Sequence, residues 1–266
     1  MLEFAIETAK KAGELLLRHF EKLGASEVSF KGKRNLVTVA DEESEEFIAG
    51  EIRRVFPDHS ILAEEHARDR KSGKFEWIVD PLDGTINYAH GHPFFCVSIA
   101  LARNGEIILG AVHAPILRET YFAEKGKGAF LDNRRLSVTK SERLIDSLLG
   151  TGFAYVREET MNNNLANFSR LSMKARGVRR YGSAAIDLAY VAAGRLDGFW
   201  ELYLAPWDVA AGSLFITEAG GKVTDFSDGN DYIYGQNIVA SNGLVHEMII
   251  ENLDQFTEND KTESQG

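Results

Sequence analysis

Apolar residues recur at helical spacing from the start of the chain. Phe4, Ala5, Thr8, Ala12, Leu15, Leu16 and Phe20 share one face, with Gly24 as the expected stop. Residues 27–30 read as a short strand, and Lys31-Gly32-Lys33-Arg34-Asn35 as a polar basic loop. Leu36 to Asp41 leads into a second amphipathic helix carrying Phe47, Ile48, Ile52 and Val55, which should end before Pro57. Ser60 to Ala63 then reads as a strand delivering Glu64-Glu65, and His66 to Lys74 as an exposed charged loop. Trp77-Ile78-Val79 suits a buried strand that should stop at Asp80, because Pro81 has no N–H for a ladder.

Beyond this point the pattern turns to β. Phe95 to Ala102 and Glu106 to His113 flank Asn104-Gly105, a hairpin signal, and Thr120 to Ala123, Ala129 to Leu131 and Leu136 to Val138 continue the meander. The second half alternates. Strands are expected at residues 147–151, 177–181, 197–201, 222–225 and 237–241. Helices are expected at 158–174, from Ser183 to near Gly194, at 207–219 and at 244–253. No linker or repeat interrupts the pattern. It describes an α+β chain with one domain over 1–257, an N-terminal half of about 1–142 and a C-terminal half of about 143–257. The polar stretch 258–266 is expected to be disordered.

Composition changes the picture only in part. A chain of 266 residues with 44% hydrophobic positions can bury a sizeable core. A formal charge of -10 makes it a poor general binder of nucleic acid. The single cysteine, Cys96, sits in an apolar run and reads as a buried inert thiol, and no stretch approaches membrane-spanning length. These features lead us to expect a soluble cytoplasmic protein.

The chemistry concentrates in Asp80-Pro81-Leu82-Asp83-Gly84-Thr85. Carboxylate and carbonyl oxygens suit hard divalent cations, and backbone N–H groups at a helix start suit phosphate. The competing reading is that both aspartates only shape a turn. The Asp-x-Asp-Gly-Thr pattern of the haloacid dehalogenase phosphatases differs by one residue in spacing, so the second carboxylate would stand elsewhere. Two further pieces place acids where strands end or helices begin: Ala63-Glu64-Glu65, and Pro206-Trp207-Asp208-Val209-Ala210-Ala211-Gly212 followed by Glu218-Ala219-Gly220-Gly221.

Together these three segments resemble the inositol monophosphatase family, over nearly the whole chain. The resemblance implies a layered αβαβα sandwich, dependence on two or three Mg²⁺ per subunit, lithium inhibition and a homodimer. It implies Glu64, Asp80, the Leu82 carbonyl, Asp83 and Asp208 as metal ligands, with Asp80 bridging and Glu65 supporting the Glu64 side. Direct in-line attack of metal-activated water on a phosphate monoester would follow, with Glu64 at the catalytic centre and Thr85 and Asp41 orienting the water. Asp83, Gly84, Thr85, Ser183, Ala184, Glu201 and Asp208 would contact substrate. For Asp41 and Ser183 an ordinary helix N-cap is the competing reading. The family's flap lysine aligns loosely with Lys31 or Lys33. The implied substrate is inositol monophosphate or a similar small polyol or sugar phosphate. Fructose-1,6-bisphosphate and 3'(2'),5'-bisphosphate nucleotides are the nearest alternatives, for which Arg34, Arg179, Arg180 or Arg195 would hold the second phosphate. A role mainly as a partner of the transcription machinery is the alternative from another class.

Overall fold

The structure, a computed structural model, describes residues 1–20, 28–30, 36–66, 68–154, 162–257 and 260. Helices α1 (Leu2–Phe20) and α2 (Val39–Val55) pack against each other and cover one face of an eight-stranded sheet. That sheet comprises β3 (Ser60–Ala63), β4 (Arg68–Asp69), β5 (Phe75–Asp83), β6 (Cys96–Arg103), β7 (Glu106–Ala114), β8 (Glu119–Glu124), β9 (Gly128–Leu131) and β10 (Arg134–Arg135). Its strand order is β10-β9-β8-β7-β6-β5-β3-β4, antiparallel except for the β3–β5 pair. A short hairpin of β1 (Val28–Phe30) and β2 (Leu36–Thr38) forms a separate two-stranded sheet, with β2 beside the α2 and Thr85–Ala89 helices.

The other face of the large sheet meets α5 (Ala184–Ala192) and α6 (Pro206–Glu218), which also lie against a second sheet. That five-stranded sheet comprises β11 (Leu148–Thr151), β12 (Gly177–Arg179), β13 (Gly198–Leu202), β14 (Lys222–Thr224) and β15 (Asn237–Ser241), in the order β12-β11-β13-β15-β14. Helices α4 (Leu165–Ser172) and α7 (His246–Ile250) close the far side, and α3 (Thr85–Ala89) is a single turn after β5. The result is the αβαβα sandwich that the family resemblance implied.

Strand alternation explains how one sheet serves two cores. In β6, Val97, Ile99 and Leu101 enter the core under α1 and α2, while Cys96, Ala100 and Ala102 enter the core shared with α5 and α6. The residues on the second side are small, which lets the middle helices come close. A Cβ on Gly110 of β7 would stand 2.9 Å from the Ala211 Cα of α6. The third core lies between the small sheet and the outer helices, around Trp200, Leu149 and Ile249.

Several sequence expectations need correction. β5 does not stop at Asp80; it continues to Asp83 through an irregularity at Pro81. Residues 136–138 form no strand: the β9 partner is Arg134–Arg135, and Val138 instead donates its N–H to the Ala219 carbonyl at 3.2 Å. The loop expected at 66–74 contains β4, held antiparallel to β3. Val55 is exposed rather than part of the α2 core face, and the last helix spans only His246–Ile250. The helix expected at 158–174 is described from Leu165 to Ser172, and residues 155–161 lie outside the described set. Gly24, Lys31, Lys33, Arg34 and all of 258–266 except residue 260 also lie outside the described residues.

His246 is fully buried between Thr224 Oγ1 and Ser241 Oγ, each 2.9 Å from one ring nitrogen. Burial, with the Lys222 charge, holds its pKa down at about 4, against 6.5 for a free histidine. The folded value lies below the unfolded one, so this residue's stability is full above pH 6.5 and is lost as pH falls toward 4. Wild type should therefore lose up to about 3 kcal/mol more than His246→Gln across that window. Urea denaturation at pH 7 and pH 4.5 checks this, and parallel losses would contradict it.

Candidate active site

Parallel pairing of β3 with β5 sets Ala63 opposite Val79, which carries Glu64 up beside Asp80 where the two strands end. In β5, Asp80 pairs with Ser98 and Asp83 with Cys96. Three steps along β5 thus match two along β6, the signature of a one-residue bulge. In a regular strand Asp80 and Asp83 would point to opposite faces. The bulge sends Leu82 into the α1–α2 core and turns both carboxylates toward the middle layer. Pro81 fits here because its missing N–H falls where the ladder is broken.

Asp208 reaches the same place from α6. Its Oδ2 accepts the Ala205 N–H at 2.6 Å, three residues before it at the helix start, after which Pro206 opens the first turn. Carboxylate oxygens of Asp80, Asp83 and Asp208 lie within 4.8 Å of one another. Asp83 Oδ2 is also gripped by the start of α5: it accepts from Ser183 Oγ at 2.6 Å and the Ala185 N–H at 2.7 Å, with Cys96 Sγ 3.8 Å away. Ser183 caps that helix as well, accepting weakly from the Ile186 N–H at 3.4 Å. The competing N-cap reading of Ser183 therefore holds, and its hydroxyl is engaged with a site carboxylate.

Burial raises all three carboxyls, and neighbouring charge adds to it at two of them. Burial, followed by Glu64, Asp83 and Asp208, pushes the Asp80 carboxyl well above the usual range. Burial also raises Asp83, against the pull of Ser183 and the Ala185 and Ala184 amides. Asp208 is pushed up to about 7, first by burial and then by Asp83. A divalent cation resolves such a conflict by offering positive charge to oxygens already aimed at one point. The donor set is all oxygen, which suits a hard cation such as Mg²⁺.

Thr85 Oγ1 donates to Asp41 Oδ1 at 3.2 Å and to the Leu82 carbonyl at 3.1 Å. Asp41 lies inside the first turn of α2 and is fully buried, so it is not the N-cap. Gly84 precedes α3 with φ +94°, and a Cβ there would stand 2.7 Å from the Phe94 carbonyl oxygen. Only glycine tolerates both conditions. Glu201 on β13 is buried on the same strand face as Phe199, toward the middle layer. Ala184 opens α5 and is nearly buried. Glu65 gives its N–H to Glu45.

Among the candidate cations for a second phosphate, Arg195 is already committed. It pairs with both Glu119 oxygens at 2.6 and 2.8 Å and lies over the Tyr190 ring. Arg179 and Arg180 are exposed.

Some site-building residues escaped the sequence reading. Glu45 on α2 accepts the Glu65 and His66 N–H groups, both at 2.7 Å, and so fixes the loop that carries Glu64. Ser44 donates to the Pro81 carbonyl at 3.0 Å. Asn87 donates to the Phe94 and Tyr181 carbonyls at 2.6 and 2.7 Å, tying α3 to the turn before α5. The one available signal was Ser44-Glu45 as polar residues on an otherwise apolar helix face.

The fold and this acidic centre define a phosphatase of the metal-dependent layered-sandwich class. The chain belongs to the inositol monophosphatase family, whose model matches residues 1–258. It is 41% identical to "Nus factor SuhB" of Pseudomonas aeruginosa, over 91% of each chain. It is 40% identical to "Fructose-1,6-bisphosphatase/inositol-1-monophosphatase" of Thermotoga maritima, over 97% of each. The solved structure of extragenic suppressor protein suhB from Bartonella henselae superposes with a TM-score of 0.89 at 40% identity, covering 94% of this chain and 96% of that one. No helix among the described residues is long and apolar enough to cross a membrane.

The carboxylate conflict has a measurable consequence. In chelator, Asp208→Asn should stabilise the protein by about 1 kcal/mol, or roughly 2–4 °C in Tm for a chain of this size, because one buried charge is removed while its bond to Ala205 survives. With millimolar magnesium the order should reverse, wild type gaining more. Calorimetry in both conditions decides it; a variant less stable than wild type in chelator would show that the carboxylates are not in conflict.

Proposed function

We propose that this protein is a magnesium-dependent phosphomonoesterase that hydrolyses inositol monophosphate and similar small polyol or sugar phosphates. The observation that carries the reading is the convergence of Asp80, Asp83 and Asp208 within 4.8 Å beside the Thr85–Asp41 hydrogen bond. Glu64, Asp80, the Leu82 carbonyl, Asp83 and Asp208 would hold the cations, with Glu65 beside them. Magnesium, when bound, supplies Lewis acidity and offsets the charge of an anionic substrate on a chain of net charge -10.

The chain's own residues account for the rest. Thr85 Oγ1 accepts a proton from the attacking water as its own hydroxyl proton passes to Asp41 Oδ1, and the same pair orients the water in line with the ester bond. Phosphate oxygens lie against the N–H groups of Gly84 and Thr85, which gain negative charge in the transition state. The P–O bond to the alcohol breaks as the water oxygen bonds phosphorus, and the leaving alkoxide takes up a proton from solvent. Glu201 accepts hydrogen bonds from ring hydroxyls, and Ser183 and Ala184 hold the start of α5 beside the substrate.

Phosphate-release assays test the reading. Asp83→Asn should lower kcat by at least about 100-fold with saturating magnesium. Thr85→Ala should lower kcat about 100-fold with KM changed by less than about threefold, as expected for a group that acts on the transition state. Near-normal turnover of Asp83→Asn would overturn the metal role. Parallel kinetics on inositol 1-phosphate, fructose 1,6-bisphosphate and adenosine 3',5'-bisphosphate assign the substrate, and a preference of tenfold or more for either bisphosphate would displace the monophosphate reading.

A further inference from the structure

One buried acid near the site has no part in the chemistry above. Asp187 lies on α5 at 1% exposure, and its Oδ1 has no hydrogen-bond partner among the described residues. A buried polar atom left unpaired is costly and calls for a reason. Its surroundings are built for it. On β11, a Cβ on Gly150 would stand 2.8 Å from Leu196 Cδ1 and 3.0 Å from Asp187 Oδ1. Two residues on, Gly152 leaves the space taken by both Glu201 carboxylate oxygens, where a Cβ would overlap them. Residues i and i+2 of a strand share a face, so these two glycines open one slot with two acids in it.

Glycine weakens a strand, and here Gly150 lies inside β11 while Gly152 follows directly after its last residue. The opposite face of the same segment is tightly specified: Thr151 Oγ1 donates to the Trp200 carbonyl at 2.7 Å and accepts from Asn164 Nδ2 at 2.9 Å. The slot is thus a local feature of one face. We propose that Asp187 is a positioning residue, which fills the slot beside Glu201 and holds the Glu201 carboxylate forward, where it meets a substrate hydroxyl. The inference rests on the reading of Glu201 given above and deepens it.

The charges around the pair agree. Asp187 is raised well above the usual carboxylate range by burial, then by Glu201 and Asp83, while exposed Arg180 pulls it down. Glu201 is raised by burial and Asp208, opposed by Arg180, with Asp83 adding to the rise. Two negative charges in the slot would oppose each other, and Arg180 lowers both groups. Asp187 acts on Glu201 by occupying the volume next to it.

The test compares inositol 1-phosphate with 4-nitrophenyl phosphate, which offers no ring hydroxyl. Asp187→Ala, or Asp187→Ser should the alanine variant fail to fold, should raise KM for inositol 1-phosphate about tenfold while kcat falls less than threefold. The kcat/KM for 4-nitrophenyl phosphate should change less than threefold. Asp187→Asn, neutral and of equal volume, should keep KM for inositol 1-phosphate within about twofold of wild type from pH 6 to 9. Glu201→Ala should lose the same preference for inositol 1-phosphate, and adding Asp187→Ala to it should cost nothing more. If Glu201→Ala keeps the preference, the reading of Glu201 fails. If Glu201→Ala loses it while Asp187→Ala does not, or if Asp187→Ala harms both substrates alike, the positioning role alone is overturned.

Discussion

A one-residue bulge in a single strand governs this molecule. Side chains on a strand alternate between faces, so Asp80 and Asp83, three apart, belong on opposite sides of the sheet. The extra residue at Pro81 cancels that odd step, and the partners Ser98 and Cys96 lie two apart on the same face of β6. Both carboxylates then face α5 and α6, and Leu82 is released into the opposite core at no exposure. Without the slip, one acid would be buried under α1 and α2 among apolar side chains, a cost of several kcal/mol for an unpaired charge. The bulge is held from outside the strand by Ser44 on the Pro81 carbonyl and by Thr85 on the Leu82 carbonyl.

Once two carboxylates occupy the middle layer, the surrounding elements follow a common electrostatic rule. Helix starts present backbone N–H groups and the positive end of the helix dipole. The start of α5 meets Asp83 and the start of α6 meets Asp208, each through bonds of 2.6–2.7 Å. Two unit charges 4 Å apart repel by about 4 kcal/mol at an effective dielectric of 20. Such donors soften this conflict without removing it: beyond the effect of burial, Glu64, Asp83 and Asp208 still raise Asp80, and Asp83 still raises Asp208. The three carboxylates form a site of mutual repulsion that a divalent cation would relieve.

The same logic extends outward through absent side chains. Gly84, Gly150 and Gly152 each stand where a Cβ would meet a carbonyl oxygen or a carboxylate. Close approach of backbone to acid lets the centre stay compact between two sheets, and it leaves the residues that line the slot little freedom to move. Asn87 adds to this by joining the turn before α5 to α3, so that the donors on Asp83 and the amides of Gly84 and Thr85 belong to one rigid unit.

Much of this was legible in the chain alone. Helical and alternating periodicities located α1, α2, the β6–β7 hairpin and β15, because burial on one face imposes a repeat that local sequence must obey. The acids at strand ends and helix starts marked Asp80, Asp83 and Asp208, because those positions expose backbone donors whatever the fold. Asp41 was ambiguous between a cap and a site residue; its place inside the first turn of α2, buried and bonded by Thr85 44 positions away, excludes the cap. The continuation of β5 through Pro81 and the seat of Asp187 left no local trace, and the grip of Glu45 on the Glu64 loop left only a polar residue on an apolar helix face. They depend on register against β6, on packing of α2 over the sheet and on a vacancy in β11, and each is a relation between distant segments. Local sequence sets which residues carry charge and which face of each element is apolar; folding sets which charges meet, because repulsion between buried carboxylates exists only after separate strands and helices have been brought within a few ångströms.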